Sequence, residues 1–593
     1  MFFSHKKIVR KQKKIYQDWR ISLLFLGFFL SFSYIIFRLY SLQIVQSPFY
    51  TSLAYNQHTA NFSLMPKRGE VYLRNGGGEL FPLALNKAYP TLYVVPREID
   101  DVEGTIQVLS DELKKDKESL YELFKDKNDP FEIVAKKVEK EIVERIKEKK
   151  LSGVYSMDEM LRYYPGEELA SQIIGFVGSD GESFSGRYGV EASWNETLHG
   201  VMGSVRQERD AGGRWISITE REFLPAQDGK DLILTMDAGV QYEVERVLKS
   251  KVKEHNADSA SALVLEVGTG KILAMANEPS FDPNSYSRIK DMSFFLNPAI
   301  THIYESGSVF KPITMAIALD AGKINPETTY VDRGVIVEAG YEIMNSDEKA
   351  YGIQTMTQVL EESLNTGTIF AQKQVGNKVF KEYVERFGFG VKTGIELPSE
   401  SSGNIRNLDH LGRNIHFYTA SFGQGISMTL LQLAMSYDVI ANGGVLMKPR
   451  IVDAIIDSEG NTKESSPEIV RRVLSHETSF QTREMLYGVV KNGHGKKADI
   501  GGYRVGGKTG TAQVASKDSR GYSESESIGT FAGLAPVDDP RFVVVVKVRN
   551  PKDVIWAEST AAPAFREIMK FLLEYYGVEA TEKIEDISKK EDI

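Results

Sequence analysis

The chain has 593 residues, more than one hydrophobic core usually organises, so several folded modules are expected. Its 42% hydrophobic and 26% charged residues are typical of a globular protein, and a net charge of −9 gives no reason to expect a nucleic-acid partner. The lack of cysteine excludes disulfides and thiolate nucleophiles, and nine histidines without paired metal-binding spacing predict neither a metal nor another cofactor.

The N-terminus predicts a membrane anchor. Residues 1–20 contain seven Lys or Arg against a single acid, Asp18, and residues 21–45 are uncharged apart from Arg38 and mostly apolar. A stretch of this length and composition is typical of a transmembrane helix. Because basic flanks stay in the cytoplasm, we expect residues 1–20 to form a cytoplasmic tail and everything after residue 45 to be extracytoplasmic.

A cleaved signal peptide is the alternative interpretation of this segment. The apolar stretch is long for a signal peptide, and no small-x-small cleavage site follows it. We therefore expect an uncleaved, single-pass anchor.

Residues 46–230 predict an extracytoplasmic domain of mixed α and β structure. Short alternating strands and Gly-rich turns flank a stretch rich in Lys and Glu, residues 101–150. We expect helices in this stretch, because apolar residues recur at helical spacing. These residues are Phe131, Val134, Val138, Ile142, Val143 and Ile146.

Residues 231–576 predict a larger domain of the α/β (α+β) class. Strands near both of its ends, with helical segments between them, favour a largely antiparallel sheet that is flanked by helices and built from distant parts of the chain. A charged tail, residues 577–593, is expected to fray. The predicted elements are strands at 231–235, 528–535 and 542–548, a hairpin at 261–266 and 271–276, and helices ending near residue 252 and spanning 562–575.

Three short motifs occur in order along this larger domain: S-V-F-K at 308–311, S-L-N at 363–365 and K-T-G-T at 508–511. Each is weak alone, since roughly two or three S-x-x-K matches are expected by chance in a chain of this length. Together they form the trio typical of serine enzymes that form acyl intermediates with penicillin-like substrates.

The first motif carries the elements of an activated serine. Ser308 is placed at the start of a helix that ends near Gly322, so Lys311 lies on the same face within hydrogen-bond reach. A serine hydroxyl needs an adjacent base, and Lys311 can serve if burial and a second cation lower its pKa. Lys508 is the candidate for that cation.

The other two motifs predict substrate contacts. Ser363 offers a hydroxyl for proton relay, and Asn365 offers an amide to a substrate carbonyl. A strand that carries Gly510 lets a substrate backbone approach closely, while Thr509 and Thr511 present hydroxyls to a carboxylate.

The chain resembles the class B penicillin-binding proteins, which are monofunctional D,D-transpeptidases, over nearly all of residues 21–575. Besides the three motifs, matching segments lie at 68–76, 162–165, 186–191, 304–308, 422–426 with Thr429 and Gln432, and 533–536. Two positions depart from the family pattern. Leu73 replaces an acid, which puts any ion pair of that acid in doubt, and Ser306 replaces a proline, which affects loop stiffness.

The resemblance implies a reaction and its first participants. Ser308 would attack the penultimate D-Ala carbonyl of a peptidoglycan stem peptide, Lys311 would take its proton, and Ser363 with Lys508 would pass a proton to the leaving D-Ala. The backbone N–H groups of Ser308 and Thr511 would form the oxyanion hole.

The resemblance also implies how substrate, inhibitor and partners are bound. Thr509 and Thr511 would hold the terminal carboxylate and Asn365 the peptide, while β-lactams would acylate Ser308. A SEDS-type glycan polymerase is the implied partner in a bacterial inner membrane. The segment 422–426 and the compact pedestal, residues 46–230, favour a septal over an elongation role.

The nearest alternative is another serine acyl enzyme, a β-lactamase or a D,D-carboxypeptidase. Glu361 matches the E-x-x-L-N pattern that carries the deacylating acid of class A β-lactamases. However, that pattern overlaps the S-L-N motif itself, so it cannot also be a separate downstream loop.

A catalytically silent scaffold of the division machinery is a further alternative that stays open at the level of sequence. A bifunctional polymerase–transpeptidase would need a glycosyltransferase domain near the N-terminus. Residues 46–230 are too few for a glycosyltransferase domain and lack its E-D-x-x-F-x-x-H-like motif.

Overall fold

We analysed a computed structural model of the chain. It describes residues 19–47, 50, 59–127, 129, 131–179, 184–208, 222–515, 522–580 and 582. The described residues form two compact units, one of residues up to Pro66 with Val201–Gln227, the other of Lys67–Gly200 with the chain from Asp228 onward. Most of the predicted tails, 1–20 and 577–593, lies outside the described residues.

The smaller unit contains the predicted apolar helix. It spans Trp19–Tyr40 and continues as a π-helical turn, Ser41–Val45. This stretch of 27 residues is long and apolar enough to cross a membrane, with no buried residue in its most apolar window. The unit also has an antiparallel three-stranded sheet of Thr59–Leu64, Gly203–Glu208 and Glu222–Leu224.

A seven-stranded sheet in the larger unit joins residues from both predicted domains. The strand Asp231–Asp237 lies parallel to Val71–Arg74 and antiparallel to Val452–Ile456. The strand predicted at 231–235 is thus present, but it pairs across the predicted boundary at residue 230 instead of joining the central sheet. The other strands are Thr462–Glu464, Leu80–Val94, Glu132–Ala135 and Val154–Tyr163.

The stretch 101–150 is only partly helical. Helices span Val102–Leu113, Lys117–Leu123 and Lys140–Glu148. The prediction of a helix from the spacing of Phe131 and Val134 was wrong. Glu132–Ala135 is a strand that pairs with the end of Leu80–Val94 and buries Val134. Sheet pairing with a distant segment overrides local spacing here.

Three of the segments that resemble the family meet at one buried ion cluster in the larger unit. Glu191 is fully buried and accepts hydrogen bonds from Arg68 Nε at 2.7 Å and from Arg162 Nε at 2.6 Å. Burial alone would raise the pKa of Glu191, but the two arginines outweigh it and hold that pKa below its usual value. Leu73 is buried in the adjoining hydrophobic core and stands in place of an acid there.

The central sheet of the larger unit confirms the predicted antiparallel architecture. Its five strands, in spatial order, are Ile272–Glu278, Ser259–Glu266, Phe542–Arg549, Tyr522–Ala535 and Gly506–Ala515. The predicted hairpin and the predicted strands near residues 528 and 542 are all present. One face packs on the helices Ala238–Glu254 and Ala561–Tyr575, and the other on Lys311–Asp320 and Leu430–Ala441.

Shorter elements complete the larger unit. Further α-helices span Ser171–Ile174, Gly189–Ser193, Asn195–His199, Pro298–Thr301, Met356–Glu361, Asn365–Val375, Asn377–Arg386, Asn414–Ser421 and His476–Lys491. The 3-10 helices are Pro96–Glu98, Pro283–Arg288, Met292–Phe295, Gly307–Phe310, Arg406–Asp409 and Lys496–Ala498. Two-stranded ladders pair Phe176–Ser179 with Phe184–Arg187, Thr329–Asp332 with Gly352–Thr355, Val335–Glu338 with Tyr341–Met344, and Val445–Met447 with Ile469–Arg472.

Candidate active site

The S-x-x-K motif lies at a helix start, as its spacing predicts. A 3-10 turn, Gly307–Phe310, leads directly into the α-helix Lys311–Asp320. Gly307 has φ of +61°, a conformation that favours glycine at the entrance to the turn. Ser308 and Lys311 are therefore one helical turn apart, with the nucleophile candidate at the N-terminal end, where backbone N–H groups are unpaired by the helix.

Lys311 is fully buried and touches the second motif. Its Nζ donates hydrogen bonds to the backbone oxygen of Ser363 and to Ser363 Oγ, the latter at 3.2 Å. Burial, and after it the positive charge of Lys508, lowers the pKa of Lys311 well below its usual value. A lysine in this environment loses its proton more readily than an exposed lysine, and its neutral amine can then accept a proton from a neighbouring hydroxyl.

Ser363 is held in an uncommon backbone conformation. It lies between the helices Met356–Glu361 and Asn365–Val375 with φ of +56°, where residues other than glycine are strained by about 1–3 kcal/mol. This left-handed turn directs both the carbonyl and the hydroxyl of Ser363 at one atom, Lys311 Nζ. Sequence spacing gave no sign of this backbone contact.

Lys508 is a second fully buried lysine, on the edge strand Gly506–Ala515. Its Nζ donates a hydrogen bond to the backbone oxygen of Thr509 at 3.1 Å. Burial lowers the pKa of Lys508 to about 7, and Glu558 only partly opposes that shift. No carboxylate among the described residues lies within ion-pair distance of Lys311 or Lys508.

Gly510 allows the edge strand to approach the turn that carries Ser308. A Cβ at Gly510 would lie 2.9 Å from the backbone oxygen of Ser306 and 2.9 Å from the backbone nitrogen of Val309. Any larger residue at this position would push the strand away from the turn Gly307–Phe310, which carries Ser308 and which we call the nucleophile turn. The glycine of the K-T-G-T motif thus has a steric role between the two motifs.

The remaining predicted contacts lie on the same strand and on the S-L-N segment. Thr511 Oγ1 accepts a hydrogen bond from the Ala557 N–H at 3.1 Å, which leaves its own hydroxyl proton available, and Thr509 is nearly buried. Asn365 Nδ2 donates to the Met344 backbone oxygen at 2.8 Å. One amide hydrogen of Asn365 is therefore occupied by the protein itself.

A second layer of residues, which sequence reasoning did not assign, supports the nucleophile turn. The Gly307 N–H donates to the Gly423 backbone oxygen at 3.1 Å, and a Cβ at Gly423 would lie 2.3 Å from the Gly307 oxygen. The buried Tyr437 hydroxyl donates to the Val309 oxygen at 2.8 Å. The match at 422–426 was the only sequence signal for this layer, and it gave no role.

The Glu361 side chain is hydrogen-bonded to a residue outside the three motifs. Its carboxylate accepts a hydrogen bond from Asn492 Nδ2 at 2.8 Å, beyond the end of the helix His476–Lys491. A deacylating acid must reach a water at the acyl group. The E-x-x-L-N match therefore has a structural explanation and gives no support to a β-lactamase.

Comparison with known proteins identifies both parts of the chain. Residues 260–570 match the penicillin binding protein transpeptidase domain, and residues 63–234 match the penicillin-binding protein dimerisation domain. The described residues contain no group of His, Cys, Asp or Glu that could hold a metal ion.

Relatives in sequence and structure extend over most of the chain. Stage V sporulation protein D of Bacillus subtilis is 36% identical over 93% of this chain and 85% of its own length. A peptidoglycan D,D-transpeptidase FtsI homolog of Mesostigma viride is 30% identical over 95% of this chain and 96% of its own.

A solved structure shows the same fold. Penicillin binding protein 3 of Mycobacterium tuberculosis, complexed with ampicillin, has 27% identity and a TM-score of 0.68, covering 88% of this chain and 98% of that one. The chain belongs to the class B penicillin-binding proteins, which combine a transpeptidase domain with a dimerisation domain.

Proposed function

We propose that the chain is a peptidoglycan D,D-transpeptidase that cross-links stem peptides through an acyl-enzyme on Ser308. The observation that carries this proposal is Lys311. It is fully buried, it has no carboxylate partner among the described residues, and it is hydrogen-bonded to Ser363 while Lys508 lowers its pKa. This is the environment that a lysine needs to act as a base toward a neighbouring serine.

Acylation follows from this geometry. Lys311 takes the proton of Ser308 as Oγ bonds to the carbonyl carbon of the penultimate D-Ala. The backbone N–H groups of Ser308 and Thr511 stabilise the oxyanion that forms. The intermediate then breaks its peptide bond, and the proton that Lys311 took from Ser308 passes by way of Ser363 to the departing D-Ala amine, aided by the charge of Lys508, which leaves Lys311 neutral again.

Deacylation completes the cross-link. The amine of a neighbouring stem peptide attacks the ester carbonyl and gives up a proton to Lys311. The ester bond breaks as the new amide bond forms, and Lys311 returns the proton to the Oγ of Ser308, which restores the free enzyme. A β-lactam enters by the same route, because its strained amide takes the place of D-Ala-D-Ala, but it leaves Ser308 acylated.

Substrate orientation is assigned to the edge strand and the S-L-N segment. Thr509 and Thr511 bind the terminal carboxylate of the stem peptide, with the charge of Lys508 behind them. Gly510 has no side chain that would block the substrate backbone. The oxygen and the second amide hydrogen of Asn365 hold the peptide, since its first amide hydrogen is bound to Met344.

The chain is also proposed to work at the outer face of a bacterial inner membrane. The helix within residues 21–45 anchors it, residues 1–20 lie in the cytoplasm, and the pedestal of residues 46–230 carries the transpeptidase domain of residues 231–576. The seven Lys and Arg of the tail support this orientation. We assign it to septal synthesis with a SEDS-type polymerase as partner.

A two-substrate assay tests the activity. The full chain in detergent would be incubated with a peptide ending in D-Ala-D-Ala and a labelled D-amino acid acceptor. Release of D-Ala with incorporation of the acceptor is expected from the wild type and is lost in Ser308→Ala. Hydrolysis without incorporation would identify a carboxypeptidase, and rapid turnover of benzylpenicillin would identify a β-lactamase.

A further inference from the structure

A cavity of about 710 Å³ lies beside the nucleophile turn, on the central sheet face that also packs on the helix Lys311–Asp320. None of the residues assigned to catalysis or substrate binding lines it. Its floor is formed by three neighbouring strands, and its wall by the segment that leads into the turn of Ser308. Its lining includes Ser259, Ser261, Tyr304, Ile528, Lys547 and Arg549.

Lys547 is a buried cation without an anionic partner in the described part of the chain. The residue is 6% exposed and makes no hydrogen bond or ion pair with the described residues. Its Nζ lies 5.0 Å from the centre of the Tyr304 ring, a cation–π contact. Burial and, less strongly, Arg549 lower the pKa of Lys547 to about 8, so it remains mostly protonated at neutral pH.

Arg549 is the second cation in the same cavity. It follows Lys547 by two positions on one strand, so both side chains project from the same face. Its Nε is buried and has no hydrogen-bond partner among the residues that the structure describes. The nearby Asp258 is engaged elsewhere, since its carboxylate accepts from Lys552 at 2.9 Å and from Asn550 at 2.7 Å.

The acids that line the cavity do not neutralise these cations. Glu278 and Glu305 are both in the lining, but neither comes within ion-pair distance of Lys547 or Arg549. Glu305 accepts a hydrogen bond from the Gly425 N–H at 3.0 Å. Lys547 is thus buried, and Arg549 beside it is half-buried, without an ion pair to either lining acid. Proteins seldom leave such positive groups unpaired unless a ligand or a function requires them.

The surroundings of the cations complete an anion site. Ser261 is directly opposite Lys547, and Ser259 is directly opposite Arg549, on the neighbouring strand. The hydroxyls can donate to an oxyanion held between the two cations. Ile528 on the other neighbouring strand, with Phe294 and Leu296 on the wall, supplies apolar surface beyond that polar floor.

We propose that this cavity binds an amphipathic oxyanion, a molecule with a carboxylate or phosphate head between Lys547 and Arg549 and an apolar body against the wall. The volume falls in the range of pockets that enclose a small organic ligand. The site is distinct from the acyl site, although Tyr304 on its wall is only four positions before Ser308.

Three short-chain probes distinguish binding through a charged head group from nonspecific binding of the apolar tail. Hexanoate and hexyl phosphate present the two possible head groups on one tail, and hexanamide is the neutral control for the tail and the detergent. The full chain would be titrated by calorimetry after Ser308 has been acylated with benzylpenicillin and the adduct verified by mass. If no adduct forms on Ser308, the proposed acyl chemistry has failed. If the adduct forms and no anion binds, the proposal of this site has failed.

Saturable one-site binding of at least one anion, and none of hexanamide, is the expected result. The tighter of the two anions identifies the head group. Lys547→Met and Arg549→Gln should each weaken binding at least tenfold, while the exposed Lys323→Met changes nothing. Lys547→Met should also raise the unfolding temperature, which shows that it folds. No saturable binding of either anion, or equal binding in the Lys547→Met, Arg549→Gln double variant, would overturn the proposal.

Discussion

Two buried clusters of positive charge in the larger unit follow opposite rules. In the pedestal, Arg68 and Arg162 share Glu191, so the positive charges are matched by an acid and hydrogen bonds. In the transpeptidase domain, Lys311 and Lys508 are fully buried without a carboxylate partner in the described part of the chain. In the pedestal the positive charges are balanced by Glu191. In the transpeptidase domain, burial without a countercharge lowers the pKa values of Lys311 and Lys508.

The paired cluster contributes to stability, whereas the unpaired lysines are suited to proton transfer. A buried cation that is well paired holds its proton and ties segments together, while an unpaired one destabilises the folded state and releases its proton easily. The pedestal therefore joins distant segments through Glu191. In the proposed mechanism the transpeptidase domain tolerates a loss of stability at Lys311, because acylation of Ser308 requires a neutral lysine as base.

The largest expected effect comes from removing the unpaired base. Lys311→Met should slow acylation by benzylpenicillin by about 10³- to 10⁴-fold, the upper part of the range for general-base catalysis. Its free energy of unfolding should stay equal or rise, because an apolar side chain replaces a buried, unpaired amine. Stopped-flow acylation and urea unfolding measure the two effects, with Lys323→Met as the exposed control. A stable variant that acylates at the wild-type rate would contradict the assignment.

Removing the acid of the paired cluster should affect stability instead. Glu191→Gln leaves two buried arginines without a countercharge and should lower the free energy of unfolding by about 3–5 kcal/mol. Glu122→Gln, at an exposed pair with Lys125, should stay within about 0.5 kcal/mol of the wild type. Equal unfolding curves for the two variants would mean that the cluster does not stabilise the fold.

The same carboxylate gives a pH signature. Because the pKa of Glu191 is lowered on folding, its contribution is fully present above the unfolded value of about 4.3 and is lost as the pH falls through the folded pKa. The wild type and Glu191→Gln should therefore converge in stability in acid.

The pH dependence of acylation tests the electrostatic effect of Lys508 on Lys311. The rate should rise with pH as Lys311 loses its proton and fall above about pH 7 as Lys508 loses its own. In Lys508→Met the positive neighbour is gone, so the pKa of Lys311 should rise and the ascending limb should shift to higher pH. A lower rate with an unshifted limb would show that Lys508 acts on substrate alone.

The smallest effect is expected at Ser306, where the family has proline. Ser306 has φ of −75°, its N–H donates no hydrogen bond among the described residues, and its buried hydroxyl has no partner. Ser306→Pro should therefore raise the free energy of unfolding by about 0.4–1 kcal/mol through the unfolded state. Ser306→Ala is the matched control, since it removes the hydroxyl without stiffening the backbone. A less stable proline variant would show that the turn cannot accept the ring.

Much of the fold was predictable because its elements carry strong local patterns. The hairpin of Ser259–Glu266 with Ile272–Glu278 and the closing helix Ala561–Tyr575 follow apolar runs of the right length. The partners of Asp231–Asp237 were not predictable, because pairing with strands about 160 and 220 residues away depends on tertiary packing. The same limit explains the misassigned strand at Val134.

The site divides in a similar way. The ordered set of three motifs predicted one site for Lys311, Ser363 and Lys508. In the structure Lys311 is hydrogen-bonded to Ser363, and the charge of Lys508 acts on it. Spacing could not predict the left-handed backbone of Ser363, since any residue before a helix fits the local pattern. The neighbouring cations Lys547 and Arg549 were also not predicted. The sequence shows two basic residues in an apolar strand, but only the neighbouring strands show that both side chains line one cavity.

Mapping the covalent adduct tests the central claim most directly. The full chain would be treated with benzylpenicillin, digested, and analysed by mass spectrometry, with Ser308→Ala and Ser363→Ala in parallel. We expect one long-lived adduct on the peptide that contains Ser308, absent from Ser308→Ala and formed more slowly in Ser363→Ala. An adduct on Ser363, or one that persists in Ser308→Ala, would contradict the assignment of Ser308 as the nucleophile.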